Sequence, residues 1–447
     1  MVRSDVPRGG YASATTRRGV PVAAPPRRSG VLQEVTDEKT IPEREAVPLL
    51  EPREGIPAVI EAPGELAAAV AAFAAGHGPV AVDAERASGY RYSGRAYLVQ
   101  LRRAGAGTVL IDPVCCPDLA ALDAALADTE IVLHAASQDL PCLAELGLRP
   151  RLLFDTELAG RLLGYERVGL GTMVETVLGL RLEKGHSAAD WSTRPLPEDW
   201  LRYAALDVEV LVELRDALRD ELAAAGKLEW AEEEFSAVLA TPLPAPRSDP
   251  WRRTSGIHKV RSLRGLAVVR ELWNLRDRLA READLAPGRV LPDSAIVTAA
   301  LEIPRTTKGL TEIAPFTGRS ARRHMREWLA AIGRARGLPD TQLPQPSTPG
   351  DGPPPANRWA DRDPAAARRL AAARTVVAAL ADEHRMPTEN LLQPDAVRRL
   401  TWEPPEVIDD ESIADRLRGL GARSWQIRLT ARPMAKALTR LETKGEV

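Results

Sequence analysis

Two carboxylates one residue apart close an apolar run in Gly78-Pro79-Val80-Ala81-Val82-Asp83-Ala84-Glu85. A strand points alternate side chains to the same face, so both acids project together from its end. Side-by-side carboxylates repel unless a cation lies between them. The pair therefore reads as part of a divalent-metal site, or else as a solvated Asp and Glu at a strand end. Which it is depends on whether further acids arrive downstream.

Two more elements supply them. In His134-Ala-Ala-Ser-Gln-Asp139-Leu140, Asp139 falls at a helix start, where an acid also complements the helix dipole. In Tyr203-Ala-Ala-Leu-Asp207, a spacing of four puts the phenol and the carboxylate on one helix face. Singly, each is an ordinary surface acid. Together they offer oxygen ligands for two hard cations. Two such ions about 3.5–4 Å apart can clamp an in-line displacement at phosphorus, with the tyrosine hydroxyl orienting the attacking water.

Elements able to position these groups can be read on both sides of them. Val80–Asp83 and Ile131–His134 read as strands, and Tyr97–Leu101 with Thr108–Ile111 as a hairpin. Residues 118–127 and 138–146 and the run Glu198–Leu218 read as helices. Residues 57–240 thus form an α/β domain whose sheet is covered by helices. Residues 1–50, rich in Arg, Gly, Pro, Ser and Thr, read as a disordered leader. Linkers at 241–260 and 341–363 separate two helical blocks, 261–340 and 364–447. The blocks echo each other. Ala280 to Asp293 and Ala381 to Asp395 each read as a helix end, a proline-containing turn, two apolar residues and a Pro/Asp start to the next helix.

Composition bounds the function. Three cysteines, Cys115, Cys116 and Cys142, cannot build a disulfide framework and lack metal-ligand spacing, so a reducing cytoplasm is expected. Cys115 and Cys116 read as packing near a strand end. No apolar run approaches the roughly 18 residues of a membrane span, and no signal core opens the chain. The net charge of −2 hides an asymmetry. Residues 57–240 carry about 29 acids and about 16 bases, while 251–336 carry about 18 bases and about 8 acids. A basic module tethered to an acidic one fits a nuclease that must hold a polyanion.

The ordered set Asp83, Glu85, Asp139, Tyr203 and Asp207 resembles ribonuclease D, in the tyrosine-bearing subclass of the DEDD 3′→5′ exonucleases. Leu133-His134-Ala-Ala-Ser-Gln-Asp139-Leu140, Phe154-Asp155-Thr156 and Asp190-Trp191-Ser192-x-Arg194-Pro195-Leu196 extend the resemblance. The basic block resembles an HRDC domain through Arg270-Glu-Leu-Trp273-x-x-Arg276-Asp277, Pro292-Asp293 and Ile303-Pro304-Arg305. The resemblance implies a ribonuclease H-like mixed sheet with flanking helices, followed by two small all-α HRDC-type bundles, the second divergent. It further implies Asp83 bridging two ions, Glu85 and Asp207 completing the water-activating site, Asp139 serving the other ion, and Tyr203 positioning the nucleophile. Asp155 reads as a helix N-cap and His134 as structural. Trp191 and Arg194 are candidate substrate contacts or packing residues. Arg319, Arg322, Arg323 and Arg326, beside a glycine at a helix start, are candidate phosphate contacts.

The expected function is a cytoplasmic 3′→5′ exoribonuclease using two divalent cations, Mg²⁺ or Mn²⁺. It would release nucleoside 5′-monophosphates from structured RNA 3′ ends such as those of tRNA precursors. A DNA 3′→5′ exonuclease and a non-catalytic RNA-binding scaffold are the alternatives. Against the first stands the lack of a Gly-x4-Gly-Lys-Ser/Thr motor loop, and against the second the set of mutually repelling acids.

Overall fold

The computed structural model describes residues 46–183, 185–242, 247–346 and 352–443. Most of the stretch read as a leader, 1–45, and the centres of both proline-rich linkers, 243–246 and 347–351, lie outside the described residues. At the leader's end, β1 (Val47–Leu49) pairs in parallel with Leu180–Leu182, which extends ordered structure into a segment read as disordered.

The domain then runs through β2 (Val59–Ile60), α1 (Pro63–Ala75), β3 (His77–Arg86), β4 (Ala96–Ala104), β5 (Gly107–Ile111), α2 (Ala120–Ala125), β6 (Glu130–Leu133), α3 (Leu140–Glu145) and β7 (Leu152–Asp155). It continues with α4 (Thr156–Leu163), α5 (Leu170–Met173), β8 (Leu180–Leu182), α6 (Glu198–Glu209), α7 (Leu211–Ala224) and α8 (Leu228–Ala240). Six strands form one sheet in the order β2-β5-β4-β3-β6-β7. β3 pairs antiparallel with β4 and parallel with β6, so the sheet is mixed and β3 is central. That position explains its composition, because a strand with neighbours on both edges and helices above is apolar almost throughout. Val80, Ala81 and Val82 are fully buried, each valine contributing about 1.5–3 kcal/mol by leaving water.

The expected hairpin is β4 with β5, Gln100 facing Leu110, closed by Gly105 and Gly107 at positive φ where a side chain would be strained. The helical run read over Glu198–Leu218 is broken at Val210, whose backbone leaves the helical region between α6 and α7. Of the adjacent cysteines, Cys116 is buried but Cys115 is exposed, so only one of them packs as expected.

The first helical block comprises α9 (Leu263–Ala283), α10 (Pro287–Val290), α11 (Asp293–Glu302), α12 (Thr307–Glu312), α13 (Arg319–Arg323) and α14 (Met325–Gly337) around a core of its own. The second comprises α15 (Trp359–Arg362), α16 (Pro364–Glu383), α17 (Thr388–Leu391), α18 (Pro394–Trp402), α19 (Asp410–Gly419) and α20 (Ser424–Thr443). The internal echo is structural as well. In each block a helix of 20 or 21 residues is followed by a residue in the left-handed region (Asp284 in the first, Arg385 in the second), and then by a four-residue helical turn. A buried, extended leucine comes next in each, Leu291 and Leu392, and leads into a short helix.

The two blocks differ in attachment. The second shares one continuous core with the exonuclease-like domain. Buried Lys227 donates to the carbonyls of both Leu162 and His384 at 2.6 Å. Trp230 stacks on Trp425 at 4.9 Å. The Gly164 backbone passes so close to Arg385 that a Cβ there would lie 2.2 Å from its carbonyl oxygen. Among the described residues, no helix is long and apolar enough to cross a membrane.

Candidate active site

The end of β3 is where the chemistry collects. Asp83 and Glu85 share one face of the strand, and α6 lies across it. Tyr203 and Asp207 come one helical turn apart on that helix, so Asp207 reaches the strand pair. Oxygens of Asp83, Glu85 and Asp207 lie within 4.8 Å of one another, making these three the group among the described residues able to hold a cation here. They line a cleft of about 550 Å³ together with Asp139, Tyr203, His134 and the 169–171 loop. The sequence-predicted acids and the tyrosine therefore do converge.

Asp139 stands apart from the trio. It occupies the N-cap of α3, yet its carboxylate makes no capping hydrogen bond. The residue is 4% exposed, and its carboxylate lies 3.4 Å from the Arg86 guanidinium. Arg86 also donates to the Gln138 carbonyl at 2.8 Å. The Asp139 carboxylate therefore does not cap α3 through a hydrogen bond and lines the cleft.

Electrostatics set the character of the cleft. Burial pushes the Glu85 carboxyl up to about 10, with Asp83, Asp207 and Asp139 adding repulsion and Arg86 pulling back. Asp139 is raised to about 8 by burial first and by Asp83 second. Asp83 and Asp207 are both raised, chiefly by burial. Burial likewise pushes the Tyr203 phenol up, reinforced by Asp207 and Glu85, so it remains a neutral hydrogen-bonding hydroxyl. His134, lowered to about 4 by burial, is neutral and bonded through Nδ1 to the Thr156 hydroxyl at 2.9 Å. Four clustered acids, Glu85 and Asp139 buried and Asp83 and Asp207 half-buried, against one direct cation describe a set that fits divalent metal through oxygen ligands.

Two site residues escaped sequence reasoning. Gln100 faces Asp83 across the β3–β4 ladder and donates to it at 2.5 Å. A lone amide in the apolar strand Tyr97-Leu-Val-Gln-Leu was the available signal. Arg86 follows Glu85, so strict alternation would send it to the opposite face. A register shift between Glu85 and Arg86 undoes the alternation and brings it into the cleft.

Other readings change. Trp191 is fully buried, packed against Trp200 at 5.3 Å and Tyr203 at 6.4 Å, and its indole N–H donates to the His186 carbonyl. It is a support for the tyrosine and not a surface for substrate. Arg194 is likewise consumed by the fold, holding Asp112 with two bonds at 2.6 and 2.8 Å and donating to the Tyr97 carbonyl at 2.7 Å. Asp155 is the N-cap of α4, accepting from Glu157 and Leu158 and from the amides of Ala135 and Ala136, which fixes the turn leading to Asp139. Arg319, Arg322, Arg323 and Arg326 are exposed on α13 and α14, without a carboxylate partner among the described residues.

Comparison with known proteins identifies the domains and the family. Residues 58–223 match the family model described as 3′-5′ exonuclease and 265–332 match that of the HRDC domain. Residues 352–438 match a separate model, the 3′ to 5′ exonuclease C-terminal domain, in keeping with the shared core of that block. Ribonuclease D of Acidiphilium cryptum is 34% identical over 287 residues, which are 62% of this chain and 72% of that protein. Ribonuclease D of Escherichia coli is 34% identical over 64% of this chain and 76% of its own length. A crystal structure of a protein from Bifidobacterium adolescentis superposes with TM-score 0.81 and 39% identity, covering 88% of this chain and all of that one. The Escherichia coli RNase D structure, described as an exoribonuclease involved in structured RNA processing, gives TM-score 0.62 and 28% identity over 87% of this chain and 98% of its own. On these matches the chain belongs to the ribonuclease D family and is a 3′→5′ exoribonuclease.

Proposed function

We propose that the protein trims structured RNA 3′ ends, tRNA precursors among them, in the cytoplasm by a two-metal-ion mechanism with Mg²⁺ or Mn²⁺. The observation that carries this reading is the carboxylate trio, with Glu85 buried and Asp83 and Asp207 half-buried, and Tyr203 one turn from Asp207. Asp83 would bridge the two ions, with Glu85 and Asp207 completing one position and Asp139 the other. Bound there, divalent ions would lower the pKa of a water and neutralise charge on the leaving oxygen.

The chain's own residues do the remainder. The Tyr203 hydroxyl orients the water that attacks phosphorus, the P–O3′ bond breaks, and a nucleoside 5′-monophosphate leaves while the shortened RNA regains a 3′ hydroxyl. Arg86, already paired with Asp139, keeps that acid in place until substrate and cations enter. Substitution Tyr203→Phe removes the orienting hydrogen bond and no ligand. Turnover should fall by about ten- to a hundredfold, while Mn²⁺ affinity, followed by electron paramagnetic resonance, stays at the wild-type value.

The four arginines of α13 and α14, exposed and without a carboxylate partner among the described residues, support a phosphate-binding role for the HRDC module. In the double variant Arg322→Ala/Arg323→Ala, KM for long RNA should rise. The slope of log binding constant against log salt should become shallower by about 1.4, the share of two phosphate contacts on a single strand. An unchanged slope would show these side chains to be solvated surface.

Matched RNA and DNA oligonucleotides, blocked or free at the 3′ end, with Mg²⁺ or EDTA, test the whole reading. Stepwise shortening of free-ended RNA, abolished by EDTA, is expected. Preference for DNA would move the substrate assignment, and binding without shortening in Mg²⁺ would replace the enzyme with a scaffold.

A further inference from the structure

The loop that leaves the catalytic strand is held by the other domain. β3 ends at Arg86, and a short stretch, 87–95, leads to β4. Tyr90 and Arg91 turn back onto the Ala87 carbonyl, and from there the loop docks on α9 and α10 of the HRDC module. The Tyr92 hydroxyl donates to Asp277 at 2.9 Å and accepts from Arg281 at 3.0 Å, and its amide donates to Asp284 at 3.3 Å. Tyr92 is itself packed against the HRDC core cluster. One residue pair earlier, the Ala286 amide donates to the Tyr90 carbonyl at 2.9 Å, and Arg289 donates to the Gly89 carbonyl at 2.8 Å with its guanidinium 4.1 Å over the Tyr90 ring.

The same loop reaches inward on its other side. Arg91 donates to the Ser192 hydroxyl at 2.7 Å and lies 3.8 Å from Asp284, so one guanidinium touches both the segment that carries Trp191 and the end of α9. Tyr90 and Tyr203 pack against one small cluster that contains Ala87, Trp191, Ala204 and Ala205. Two routes thus connect the HRDC module to the catalytic tyrosine: Arg289 through Tyr90, and Asp284 through Arg91, Ser192 and Trp191. Neither route involves a metal-ligand candidate.

We propose that Arg91 is a positioning residue, held in place by the anchoring of Tyr92 on α9, through which the docked HRDC module sets the placement of Tyr203, so that this module supports turnover at the active site as well as gripping RNA. The proposal rests on the exoribonuclease reading of the site. A basic module attached only by a tether would change KM for long RNA and leave the chemical step alone. A module clamped to the loop after Glu85 reaches the chemical step even for a substrate too short to touch α13.

A ribodinucleotide separates these cases, since it occupies the cleft alone. In full-length protein with saturating Mg²⁺, Arg91→Ala and Tyr92→Phe should each lower kcat on the dinucleotide by about tenfold, as expected for a small displacement of an orienting group. Mn²⁺ affinity should be unchanged, and Arg91→Lys, which restores a cation near Ser192 and Asp284, should recover most of the rate. Dinucleotide kcat equal to wild type in both variants overturns the proposal. So does a fall in kcat matched by an equal loss of Mn²⁺ affinity, because that would mean the end of β3 is disordered as a whole. Failure of the wild-type protein to cleave any RNA would instead overturn the underlying assignment of activity.

Discussion

Alanine at Asp83 or at Asp207 is expected to cut RNA hydrolysis by about a thousandfold or more, the scale of losing preorganised charge stabilisation at a reacting phosphate. Each substitution breaks the only group of three carboxylates, among the described residues, whose oxygens come within 4.8 Å. The expected signature has a second half that loss of fold cannot mimic. In EDTA the variants should melt at a higher temperature than the wild type, because a buried carboxyl that raises its neighbours is gone. RNA binding, which the proposal assigns in part to the basic surface outside the cleft, should persist. The measurement is a 5′-labelled RNA shortened in Mg²⁺, read beside melting curves in EDTA and filter binding. Wild-type shortening by either variant would remove the metal assignment. A lowered melting temperature would turn the two acids into structural residues.

The parts of this site that were legible in the sequence follow from local periodicity. Asp83 and Glu85 needed only the two-residue repeat of a strand, and Tyr203 with Asp207 only the helical repeat, and both rules survive in β3 and α6. Asp139 needed its placement at a helix start, which the structure reproduces. What failed is what periodicity does not encode. Arg86 enters the cleft through a register shift at one residue. Trp191 and Arg194 sit in a motif whose residue types suit nucleic acid equally well, and only tertiary packing decides. The indole fills the space behind Tyr203, and the guanidinium has a buried aspartate, Asp112, 82 positions earlier to satisfy. β1 was invisible because three residues, one of them proline, become a strand only when β8 arrives beside them. The two helical blocks read as alike from their turns, and their turns are alike. Their difference lies in attachment: the second is welded to α4 and α8 by Lys227 and the Trp230–Trp425 stack, while the first meets the catalytic strand through one loop.

The same buried acids make metal-free stability depend on pH in an unusual direction. Glu85 titrates at about 10 and Asp139 at about 8 in the folded chain, against roughly 4 in an unfolded one. Below about pH 4 both states are protonated and nothing is lost. Above it the unfolded chain gives up protons that the folded cleft retains, and stability falls with rising pH until about 8 for Asp139 and about 10 for Glu85. One extra proton held by the folded cleft from pH 5 to 8 corresponds to a loss of about 4 kcal/mol, a large share of a typical domain's stability. Surface carboxylates paired with arginine push the other way, so the slope belongs to the cleft only if divalent ions remove it. Saturating Mg²⁺ should therefore flatten the pH profile and raise the melting temperature most at pH 8, where the ionised acids repel hardest without a cation. Mg²⁺ binding at pH 7 should release protons, seen as a binding heat that changes with the ionisation enthalpy of the buffer. In the Asp83→Ala protein the Mg²⁺ effect should largely vanish. Melting temperatures in EDTA that rise from pH 5 to 8, with no proton release on adding Mg²⁺, would mean that the acids are ionised and solvated, and that Arg86 alone is enough to balance them.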